Sequence, residues 1–107
     1  MRIPSIVLIT LANPREKHWG QLLALNPGGV TLRGVELNSF DDFIAQILEY
    51  RQGKLPFPTS FFPMHRVERI SLDERIGEIA ALSERFRARV GATIERYLEE
   101  LDERDRS

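Results

Sequence analysis

The chain has 107 residues, 42% of them hydrophobic and 29% charged, which suits one soluble domain with a modest core. Its 15 basic and 16 acidic side chains leave a formal charge of −1, so there is no general attraction to nucleic acid or anionic membrane and any polyanion site must be local. Without cysteine there is no disulfide framework, thiolate metal centre or thiol switch; no run approaches the ~18 apolar residues of a membrane span, and the cytoplasm is the expected location.

Residues 6–11 begin with Ile6, Val7, Leu8 and Ile9, a nearly continuous apolar run suited to a strand covered on both faces. Asn13-Pro14 ends it, and Arg15, Glu16, Lys17 and His18 read as a charged turn. Residues 19–25 predict a second strand in which Gly20 permits a bend or close backbone approach. Asn26-Pro27-Gly28-Gly29 is a turn signal, and a third strand follows over residues 30–37 with Val30, Leu32 and Leu37 facing the core.

The period then changes. Phe40, Phe43, Ile44, Ile47 and Leu48 recur at helical spacing behind the caps Asn38 or Ser39, and Gly53 is a C-terminal stop. Lys54, Leu55 and Pro56 open an extended connector towards Phe57-Pro58. Phe61 and Phe62 predict a fourth strand ended by Pro63, and Val67–Leu72 resumes alternation as a fifth. Asp73 and Glu74 form a polar bend before a helix over residues 79–90, with Ile79, Leu82, Phe86 and Val90 on one face. Gly91 punctuates it, Ile94, Tyr97, Leu98 and Leu101 continue a helical stripe, and residues 102–107 are polar and expected to fray.

Three strands, a helix, two strands and terminal helices are the right count for a bent five-stranded barrel. Gly20, Leu22, Asn26 and the turn Pro27-Gly28-Gly29 resemble the first signature of the Sm-like family. The segment Met64-His65-Arg66-Val67-Glu68-Arg69-Ile70 resembles the Lys-His-containing bend of its bacterial host-factor RNA chaperone. The resemblance is to a bacterial Sm-like subgroup with added helices. It implies a mainly β fold with added α: a strongly bent five-stranded antiparallel barrel at about residues 5–74, a mid-chain helix at about 39–52 and a C-terminal helical extension at about 79–102, all one domain over 1–107. It also implies a homo-oligomer, a ring built by edge-strand pairing, with RNA as a candidate ligand. The family's base-contacting Asn would fall at Gly29 or Val30, so one side of the usual RNA pocket is missing.

The candidate ligand residues are His65, Arg66 and Arg69 at the bend, with Asn26 and Trp19. Arg and protonated His donate to phosphate or base edges, and the competing role is to cap the turn or pair with Glu68 and Asp73. Trp19 beside Lys17 and His18 is either a base-stacking platform or a rim residue packed on the added helices. Two histidines without cysteine do not make a metal site, and no cofactor is expected. Ser60, His65 and Asp73 carry the letters of a hydrolytic triad without a nucleophile elbow, and Asp41-Asp42 is explained by its place at a helix N-terminus. The expectation is therefore a non-enzymatic oligomeric module that binds RNA or a nucleotide-like anion at the bend. The alternative is a structural or protein-interaction oligomer with no nucleic-acid role, docking a partner through its C-terminal helix.

Overall fold

The computed structural model describes residues 1–50 and 53–105. The chain divides into two compact units, residues 1–40 with 57–73 and residues 41–56 with 74–107.

The first unit is one antiparallel sheet of five strands: β1 (Ser5–Leu11), β2 (Glu16–Asn26), β3 (Gly29–Glu36), β4 (Thr59–Pro63) and β5 (Val67–Leu72). Their spatial order is β4-β3-β2-β1-β5. The expected charged turn is shorter than the sequence suggests. Glu16, Lys17 and His18 already belong to β2, paired with Leu11, Thr10 and Ile9, because cross-strand pairing overrides the weak strand preference of charged residues.

Strands β4 and β5 lie at opposite edges, yet only a single 3₁₀ turn, Met64–Arg66, joins them. The four residue steps from Pro63 to Val67 span about 14 Å at most, less than the roughly 19 Å of four strand spacings, so the sheet must curl until its two edges approach at this end. Two devices help it curl. The pairing register shifts at Leu23 of β2, between Leu22 and Ala24, and at Glu68 of β5, opposite the step from Thr10 to Leu11 of β1, and such irregularities bend a strand and increase its twist. Gly20 of β2 also lies directly opposite Gly34 of β3, where a side chain on either would run into the other strand's backbone.

The barrel expectation is corrected in one respect: β4 and β5 are not hydrogen-bonded to each other, so the sheet is curled but not closed. Strand alternation gives it two apolar faces. Val7, Ile9, Leu11, Leu22, Val30 and Leu32 form the inner core, with Phe62, Met64, Val67 and Ile70 packed against it. Trp19 is on the other face, opposite Leu8 and Val35.

The second unit holds most of α1 (Phe40–Glu49) and all of α2 (Leu82–Val90) and α3 (Ile94–Asp105). The stripe expected on α1 is narrower than its spacing implies: Ile44 is buried, Phe43 and Ile47 are half-buried, and Leu48 is 54% exposed. The helix stops at Glu49, short of Gly53. Helix α2 starts at Leu82, three residues later than expected, because residues 76–79 close a turn of their own. Its start is fixed by Glu84, whose carboxylate accepts the Ala81 N–H at 2.9 Å, and its end by Gly91, left-handed at φ 90°. On α3 the stripe Ile94, Tyr97, Leu98 and Leu101 is buried throughout, and the helix continues to Asp105 through residues expected to fray. Tyr97 meets Phe86 edge-on at 5.7 Å and donates its hydroxyl to the Leu55 carbonyl at 2.7 Å, which ties the connector to α3.

Candidate functional site

The turn between β4 and β5 is held from both sides. Met64 N–H donates to the Gly28 carbonyl in the β2–β3 turn at 3.1 Å, and Ala12 N–H, past the end of β1, donates to the Arg66 carbonyl at 2.8 Å. Arg66 itself supplies most of the clamp. Its Nε donates to the Ala12 carbonyl at 3.1 Å and its Nη2 to the Pro14 carbonyl at 2.7 Å, while Nη2 also lies 3.6 Å from a Glu16 carboxylate oxygen. Guanidinium suits this work because its fixed fork reaches several acceptors at once.

Glu16 and His18 follow from strand parity. Two apart on β2, they point to the same face, and His18 Nε2 lies 3.1 Å from Glu16 Oε1. The His18 ring stacks at a tilt on Phe62 of β4, 4.7 Å between centroids. The hydrogen bond from His18 is the main reason the Glu16 carboxyl is held below its ordinary value of 4.5, with the Arg66 charge assisting.

The sequence-predicted residues are thus separated by role. Arg66 takes the turn-holding half of the competing role, its guanidinium directed at Ala12, Pro14 and Glu16 and not at Glu68 or Asp73. Asn26 spends its side-chain oxygen on the Gly28 N–H at 2.9 Å, a local turn that shapes the β2–β3 connection. Trp19 is only 1% exposed, so it offers no stacking platform. Its ring meets Phe40 edge-on at 5.0 Å and lies 6.3 Å from Phe57, and its Nε1 donates to the Asp73 carboxylate at 2.9 Å. His65 and Arg69 are exposed.

Sequence reasoning missed Lys17 as a neighbour of Arg69. Thr10 pairs with Lys17 on one side and Arg69 on the other, so all three share one row and one face across β5, β1 and β2. Neither cation has an ion-pair partner among the described residues. Nothing in the spacing of residues 10, 17 and 69 reveals this, because it depends on register.

Among the described residues, no three His, Cys, Asp or Glu side chains cluster as a metal ion would require, and no helix is long and apolar enough to cross a membrane. Comparison of the chain with protein-family models, curated proteins and solved structures yields no match.

Proposed function

We propose that the chain is a non-enzymatic, Sm-like interaction module that assembles with copies of itself, β4 of one copy adding to β5 of the next. The observation that carries this reading is the pair of sheet edges. Among the described residues, β4 pairs only with β3 and β5 only with β1, leaving one ladder side of each without a strand neighbour. Strand β4 carries no charge and exposes Phe61, whereas edges kept solitary usually carry charge or a covering element. Two different edges meeting head to tail make a heterologous contact, which closes into a ring when the rotation allows. The five-strand count, the curl and the tight β4–β5 turn support the Sm-like part of the reading.

A second reading, RNA or another phosphate-bearing ligand, is favoured by the Lys17–Thr10–Arg69 row and by exposed His65. It draws on Arg69 and His65 from the bend and leaves Arg66 as a brace.

Light scattering tests the first reading. At micromolar concentration the wild type is expected to be oligomeric and Phe61→Lys monomeric with unchanged circular dichroism, and a monomeric wild type overturns it. Titration with oligo(U) and oligo(A) across a salt series tests the second. Phosphate contacts make affinity fall steeply with salt, and Lys17→Gln with Arg69→Gln is expected to flatten that slope.

A further inference from the structure

The segment between β5 and α2 ends in a feature the assembly reading does not use. Ile76 N–H donates to the Ile79 carbonyl at 3.0 Å and Ile79 N–H to the Ile76 carbonyl at 2.9 Å, a reciprocal pair closing a two-residue hairpin. Gly77 is left-handed at φ 58° and Glu78 is not, the arrangement of a type II′ turn with glycine at its first central position. Directly opposed residues share a face, so the turn presents two isoleucines side by side. They are 69% and 73% exposed, the most exposed large apolar side chains among the described residues.

The base of the turn is tied to the start of α2. Arg75 reaches Glu84 of α2 with Nη2 at 2.9 Å and Nε at 3.2 Å, and the same carboxylate group accepts the Ala81 N–H. Arg75 is the one basic residue in the segment 73–80, and this pairing occupies it. Glu74 and Glu78 flank them without an ion pair among the described residues, so the surface offered is apolar with an acidic border.

We propose that this hairpin is a preformed anchor for another protein, one that carries an apolar pocket rimmed by lysine or arginine. Two side chains fall far short of the ~800 Å² per partner that a standard stable interface buries, which speaks for insertion into a pocket and against a self-sufficient dimer contact. A symmetric pairing of two hairpins would also set Glu74 and Glu78 against their own copies. Pre-organisation lowers the ordering cost of such an anchor, and the acidic border selects for a basic rim.

The test replaces Ile76 in the full chain by an aliphatic diazirine amino acid and irradiates it in the source cells. The expected result is one predominant cross-linked protein, joined at an apolar pocket bordered by Lys or Arg. The adduct should fall at least tenfold with Ile79→Ser and with Glu74→Lys plus Glu78→Lys. Tm and the light-scattering mass should not change, which separates this contact from the sheet edges. The proposal is overturned by no adduct above the dark control, by an adduct to a second copy or to lipid, or by an adduct indifferent to these substitutions.

Discussion

Adding one methyl group at Gly20 or Gly34 tests how closely β2 and β3 approach where the sheet bends. A Cβ on Gly20 would come within 2.5 Å of the Gly34 Cα and 2.8 Å of the Arg33 carbonyl carbon. A Cβ on Gly34 would sit 2.8 Å from the Gly20 Cα and 2.8 Å from the Trp19 carbonyl carbon. All four neighbours are backbone, so no side chain can swing aside and the strands themselves must separate. Overpacking costs about 1–3 kcal/mol when side chains adjust, and a backbone obstacle places both substitutions at about 3 kcal/mol or more. At roughly 4–8 °C per kcal/mol for a chain of this size, that is a Tm loss of about 12 °C or greater. Gly28→Ala is the internal control, because its Cβ would meet only the Asn26 side-chain oxygen, at 3.1 Å, and it should cost under about 1 kcal/mol. Urea unfolding of the three variants gives the comparison. If Gly20→Ala and Gly34→Ala both lose less than about 0.5 kcal/mol, the close crossing of β2 and β3 is wrong.

Arg66→Ala should cost about 1–3 kcal/mol by removing charge-assisted bonds to two carbonyls, whereas exposed Arg69→Ala should stay within about 0.5 kcal/mol; equal effects in urea unfolding would refute the division into brace and free cation. Glu16 should titrate below 4.5 by carboxyl NMR, and because its folded value is depressed, its contribution to stability is present above 4.5 and disappears as pH falls through the folded value. Glu16→Gln should therefore soften the acid limb of the stability profile, and a midpoint at or above 4.5 contradicts the His18 contact. On α1, Ile44→Ala should cost about 2–5 kcal/mol and half-buried Ile47→Ala clearly less, and a reversed order in thermal unfolding would mean that the other face of the helix is buried.

What the sequence determined by itself was local and periodic. The apolar run of β1, the Asn-Pro-Gly-Gly turn, the helical stripe of α3 and the glycine stop at Gly91 are each written within a few neighbouring residues, where dihedral limits and side-chain period decide the outcome. Only the folded structure decided the rest, mostly through tertiary contacts and once through a local turn that competed with helical periodicity. The sequence names Trp19 as aromatic and near cations, but pairing with Leu8 and Val35 turns it onto a face closed by Phe40 and Phe57. Arg66 meets Ala12 and Pro14 more than 50 positions earlier because a three-residue turn must bridge two sheet edges. Register aligned Lys17 with Arg69, and a one-residue slip would have sent them to opposite faces. Ile79 had the spacing to join the α2 stripe, yet Gly77 lets the chain close on Ile76 first, so a local turn took an isoleucine that periodicity alone had assigned to the core.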